Sequence, residues 1–214
     1  MSGKSFIFLL VAAVLILNSE ITAQTDERPS PLFLQVDQAL PSVIVSLKYA
    51  TNENLTGKPI YPSSRAWAHR DTITALKRVV IKLREHGYRL VIWDAYRPPW
   101  AQWKLWNAYP NPAFLADPRE FSRHSRGTSV DVSLADRDGN EVEMATGHDV
   151  FTARADHDLE DLEPEIRDRV HLLRTVMFSS GFRGVPAEWW HYDLARWPDY
   201  PVVGTQEEPG AGGP

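Results

Sequence analysis

The chain contains no cysteine, so disulfides and thiol nucleophiles are excluded from the start. It also lacks the H-E-x-x-H zinc signature, a glycine-rich phosphate or dinucleotide loop, and any serine followed three residues later by lysine. Gly127-Thr-Ser129-Val-Asp131 lacks the closing glycine of a nucleophile elbow, which disfavours a serine hydrolase. There is no long basic run and the formal net charge is −5, so the electrostatic footprint of a nucleic-acid binder is missing. The apolar run Phe6 to Leu17 is shorter than the about 20 residues that a membrane span needs.

What the chain has is apolar and aromatic. With 214 residues, 43% of them hydrophobic, and eight tryptophans, it can fill one sizeable core. The start, Met1-Ser-Gly-Lys4, then Phe6 to Leu17 and a small residue at Ala23, has the pattern of a secretory signal peptide over residues 1–23. Ile21 departs from the small residue usual before the cleavage point, and a retained anchor is the alternative. A folded domain is expected over 24–203 and a flexible polar tail over 204–214. Export to a periplasm or the exterior follows, with no stable membrane span after cleavage.

Hydrophobic spacing supplies the elements. Ser42 to Tyr49 alternates like a half-buried strand, and Thr51 to Ser64, rich in Asn, Gly and Pro, reads as a long loop. Asp71 is a good helix cap, Ile73, Leu76, Val80 and Leu83 share a helical face, and Gly87 stands at its end, so a helix is predicted over 72–86. Arg89 to Trp93 predicts a strand, and Trp100, Trp103 and Trp106 a helix whose stripe belongs to the core. Ser129 to Leu134 predicts a strand, with a turn at 136–140 and Glu141 to Met144 returning as a hairpin partner. A helix is predicted over 164–180 and a last strand over 188–194. The fold class expected is α+β, helices packed against a largely antiparallel sheet.

The chemistry concentrates in Ser122-Arg-His-Ser-Arg-Gly-Thr-Ser-Val-Asp131 and Glu188-Trp-Trp-His191. Two imidazoles, a ligand carboxylate and a spare one are what a catalytic zinc site requires: three N/O ligands, an open position, and a base. On one continuous strand His124 and Asp131 would face opposite ways, so a turn at Arg126-Gly127 is expected to bring them together. The same parity argument puts Glu188 at the mouth of its strand, free to act as a base. Taken singly, each residue suits an ordinary surface or edge role, and spacing alone leaves the metal site undecided. Arg97, stiffened by Pro98 and Pro99, suits an oxyanion or a structural pairing with Asp94. His148, Asp149, His157 and Asp158 form a second polar cluster, expected to be solvated loop residues.

In order along the chain, Leu47-Lys-Tyr-Ala-Thr51, Asn54-Leu-Thr-Gly-Lys-Pro59, Trp93-Asp-Ala-Tyr-Arg-Pro98, Ser122 to Gly127, Val130-Asp131, Ser180-Gly-Phe182 and Glu188-Trp-Trp-His-Tyr192 resemble the vancomycin-resistance type D-alanyl-D-alanine dipeptidases. The resemblance implies a single zinc ion on the sheet, held by His124, Asp131 and His191. It implies Glu188 as general base and acid, Arg97 as the stabiliser of the tetrahedral intermediate, and Tyr49, Ser122 and Asp149 as contacts to a small D,D-dipeptide. Arg123 stands where the family pattern has a small residue. A peptidoglycan D,D-carboxypeptidase or endopeptidase of the wider group is the alternative enzyme, and a non-catalytic wall-binding module the alternative class.

Overall fold

The structure, a computed structural model, describes residues 28–156 and 161–204. The expected signal peptide, the tail after Gly204, and His157 with Asp158 lie outside the described residues. The elements in order are β1 (Phe33–Gln35), α1 (Val36–Ala39), β2 (Ile44–Val45), β3 (Trp67–His69), α2 (Arg70–Glu85), β4 (Arg89–Asp94), α3 (Pro99–Ala108), β5 (Ser129–Ala135), α4 (Pro164–Ser179), β6 (Phe182–Val185) and β7 (Glu188–Leu194). A five-stranded sheet runs β2-β4-β5-β7-β6, and β1 pairs with β3 in a second, two-stranded sheet. Every pairing in the large sheet is antiparallel except β2 with β4. The chain is α+β, as its sequence predicts.

Alternation along the central strand divides its residues between two faces. Val130, Val132 and Leu134 join Leu76, Val79 and Leu83 of α2 and Val170, Leu173 and Met177 of α4 in one buried cluster. Fully burying each such side chain contributes about 1.5–3 kcal/mol. Ser129, Asp131 and Ser133 take the alternate positions and are buried too. That polar face is the one available for chemistry.

Several local expectations change. The α2 face buries Val79 and leaves Val80 half-buried, and its cap is His69, whose Nδ1 accepts from the Asp71 N–H at 3.2 Å. Glu141 to Met144 is no strand: only Glu141 bridges back, to Ala135. The neighbours of β5 are instead β4 and β7, and the hairpin in the sheet is β6 with β7, where Arg183-Gly184 interrupts the apolar pattern of β6. Only Ile44–Val45 of the expected 42–49 strand pairs, before a 3-10 turn over Lys48–Ala50. Trp100, Trp103 and Trp106 are half-buried, because α3 turns Ala101 and Leu105 inward onto Tyr49, Ile60 and Leu115. Among the described residues no helix is long and apolar enough to cross a membrane.

Candidate metal centre

Strand register brings the carboxylates and one imidazole into a row. Asp94 on β4 faces Asp131 on β5, and Asp131 faces His191 on β7. Directly opposed residues of antiparallel strands lie within about 4.5–5.5 Å, so the row is a consequence of pairing. A register shift between Ile92 and Asp94 turns Asp94 into it.

His124 reaches the same point from a 3-10 turn, Arg123–Arg126, closed by Gly127 at φ 69. The expected turn is present, and glycine is required there twice over. Its φ is left-handed, and a Cβ would come within 2.4 Å of the Phe33 ring. The Gly127 carbonyl accepts from the His69 N–H and the Thr72 hydroxyl, both at 2.9 Å, while the Val203 N–H donates to the Ser125 carbonyl at 2.8 Å. Both short β1–β3 pairing and the C-terminal segment therefore grip the turn.

Three ligand atoms converge. His124 Nε2 is 3.2 Å from His191 Nδ1, His191 Nδ1 is 3.0 Å from Asp131 Oδ1, and Asp131 Oδ1 is 3.4 Å from His124 Nε2. A tetrahedral ion with ligands at about 2.0–2.1 Å has ligand–ligand edges of roughly 3.3–3.4 Å. The remaining ring nitrogens show which atoms are free. His124 Nδ1 donates to the Ala95 carbonyl at 2.7 Å, and His191 Nε2 donates to Asp193 Oδ1 at 3.0 Å. Two nitrogen lone pairs and a carboxylate oxygen thus face one another, an arrangement that a cation satisfies. Among the described residues this is the one group of three or more potential ligands so assembled.

The electrostatics agree. Burial lowers the affinity of His191 for a proton, but Asp193 and Asp131 outweigh it and hold the imidazole well above its ordinary range. Burial likewise opposes ionisation of Asp131, and His124, His148 and His191 overcome it, keeping the carboxyl well below its ordinary range. Asp193 is also pulled down against its burial, by His191, Ser129 and Arg123. The pocket favours positive charge at its centre.

Glu188 heads β7 with Oε2 3.8 Å from His191 Nδ1. It pairs across from Val185, inside the strand and not before it, and a register shift between Gly184 and Val185 relieves the parity conflict with His191. Burial raises its pKa, partly offset by His191. Arg97 forms the pairing with Asp94 that the sequence allowed: Nε and Nη2 both lie 2.9 Å from Asp94 Oδ2. Its Nη1 donates to Gln102 Oε1 at 2.9 Å and its Nη2 lies 3.5 Å from Asp131 Oδ2. Tyr49 stacks its ring 4.8 Å from that guanidinium and donates to Asp149 Oδ1 at 3.2 Å. Ser122 Oγ accepts from the His124 N–H at 3.3 Å, capping the turn.

Sequence reasoning missed Asp193 and Gln102. Asp193 lies two positions after His191, on the same strand face, so alternation could have found it. Its carboxylate also takes Ser129 Oγ at 2.6 Å and Arg123 Nη1 at 2.5 Å, which gives the unexpected Arg123 a partner. His148, expected to be solvated, is buried and reaches Asp131. A cleft of about 610 Å³ opens beside it, lined in part by Lys48, Trp93, Glu141, His148 and Asp149.

A family model described as D-ala-D-ala dipeptidase matches residues 30–203. The D-alanyl-D-alanine dipeptidase of Escherichia coli K12 is 39% identical over 166 residues, covering 78% of this chain and 86% of its own. The D-alanyl-D-alanine dipeptidase of Enterococcus faecalis is 33% identical over 193 residues, covering 79% and 94%. A vancomycin resistance D,D-pentapeptidase, VanY, solved with Zn(II), aligns at a TM-score of 0.41 and 14% identity over 62% of this chain and 75% of its own. By the extent of the family match and the identity to its curated relatives, the chain belongs to the D-Ala-D-Ala dipeptidase family of peptidases.

Proposed function

We propose that this chain hydrolyses the free dipeptide D-alanyl-D-alanine at one zinc ion held by His124, Asp131 and His191. The observation that carries the proposal is the closed triangle of His124 Nε2, His191 Nδ1 and Asp131 Oδ1, with a carboxylate 3.8 Å from one of its corners. Bound there, zinc supplies Lewis acidity to the scissile carbonyl and lowers the pKa of the attacking water.

The residues around it do the rest. Glu188, a carboxylate of raised basicity in a mostly buried position, takes the water proton and returns it to the leaving amine. Arg97, kept in place by Asp94 and Gln102, offers positive charge to the oxyanion as it develops. Asp149 pairs with the free ammonium of the dipeptide, with Tyr49 orienting it, and Ser122 acts through the His124 turn that it caps. A capped amine would leave the Asp149 carboxylate without a cationic partner, which selects for free dipeptides. The N-terminal segment supports export, so the substrate would be met outside the cytoplasm.

The cleft of about 610 Å³ beside Asp149 favours a second reading, a D,D-carboxypeptidase or endopeptidase acting on wall peptides, because clefts of that size hold ligands larger than a dipeptide. One assay decides between them. Metal-stripped and zinc-restored protein is given D-alanyl-D-alanine, its N-acetyl form and a wall pentapeptide. Zinc-dependent cleavage of the free dipeptide alone is expected, and cleavage of the pentapeptide with the dipeptide left intact would reverse the assignment.

A further inference from the structure

His148 has no place in the chemistry above, yet few side chains are so firmly held. Its side chain is 1% exposed. Its ring meets those of Tyr49, Trp93 and Trp190 edge-on, at centroid distances of 5.1, 5.9 and 6.0 Å. Its Nε2 lies 3.0 Å from Asp131 Oδ2. A carboxylate oxygen can only accept, so Nε2 carries the hydrogen and donates it.

The two oxygens of Asp131 are thereby divided. Oδ1 faces the ligand nitrogens of His124 and His191, whereas Oδ2 is held by His148 at 3.0 Å and more loosely by Arg97 at 3.5 Å. Without that donor the carboxylate could rotate, and either oxygen, or both, could face the centre. On its far side His148 Nδ1 is 3.6 Å from Asp149 Oδ2, and among the described residues neither atom has a hydrogen-bond partner. One imidazole thus stands between the ligand carboxylate and the loop that carries Asp149.

We propose that His148 is a positioning residue of the metal centre: its Nε2–H pins Asp131 Oδ2 so that Oδ1 alone serves as ligand. The proposal rests on the assignment of His124, Asp131 and His191 as ligands. Groups that orient a metal ligand in this way change metal affinity by about 10- to 100-fold when removed.

The test uses the full chain, stripped of metal, as wild type, His148→Phe, His148→Gln, His148→Asn and His191→Ala. Zinc affinity is read by competition with a chromophoric chelator, and ligand geometry by the visible spectrum of the cobalt(II) form. Phenylalanine keeps the packing without a donor. Glutamine sets an amide N–H near the place of Nε2, and asparagine near that of Nδ1. His148→Phe and His148→Asn are expected to weaken zinc binding about 10- to 100-fold and to shift the cobalt spectrum, while His148→Gln stays within a few-fold of wild type. Thermal unfolding of the metal-free proteins identifies a variant that fails to fold. If that is His148→Phe, the Asn and Gln variants carry the comparison alone. Wild-type zinc affinity in His148→Phe and His148→Asn, or a His148→Gln variant as weak as His148→Phe, would overturn the proposal. Should His191→Ala bind zinc as wild type does, the ligand assignment itself fails and takes the proposal with it.

Discussion

The central strands and the loop of residues 144–150 both bring carboxylates to the site, and they do so by different means. Asp94, Asp131 and His191 stand in a row because β4, β5 and β7 pair in one register. A one-residue slip would turn the whole row to the other face, so the same hydrophobic alternation that fixes the core fixes the chemistry. Asp149 has no ladder to hold it. It takes a left-handed φ of 58°, which aspartate tolerates better than most residues, and depends on Tyr49 and His148 for its direction. The strand side is thus suited to holding an ion, and the loop side to adjusting what binds beside it.

Three substitutions separate these roles, taken from the largest effect to the smallest. Glu188→Gln removes the base and keeps the row, so zinc content is expected to stay at the wild-type value while turnover on D-alanyl-D-alanine falls by about 10² to 10⁴. Near-normal turnover in that variant would take Glu188 out of the reaction. Asp193→Ala acts from the strand side: His191 Nε2 loses its acceptor, and zinc affinity measured by chelator competition should fall by about 10- to 100-fold. Tyr49→Phe acts from the loop side. It deletes one hydrogen bond to Asp149, a loss of about 0.5–1.5 kcal/mol, and is expected to raise KM up to roughly 10-fold with zinc affinity unchanged. Equal loss of zinc affinity in the last two variants would erase the distinction between the two sides.

How much of this could be read beforehand follows the same division. The turn at Gly127 was legible because only a turn could reconcile His124 with Asp131, whereas Asp131, His191 and Glu188 stood out through the family resemblance, and strand parity alone put Glu188 outside the strand that in fact contains it. The long helices were legible through their periodic apolar faces. β1, β3 and β6 were not, since three or four residues carry too little period, and β1 and β3 also pair across more than thirty residues of chain. Nothing local marks the loop histidine His148 as buried, so its sequence context alone points to solvent. The aromatic rings of Tyr49, Trp93 and Trp190, each from another part of the chain, bury it.

The contact of Gly127 with the Phe33 ring carries a consequence for anyone who would transplant this site. The ten letters from Ser122 to Asp131 look portable, but the angle at which His124 leaves the turn is set from the amino-terminal strand, ninety positions upstream. Grafted onto another scaffold without that strand and the floor it makes, the segment would keep its spelling and lose its aim.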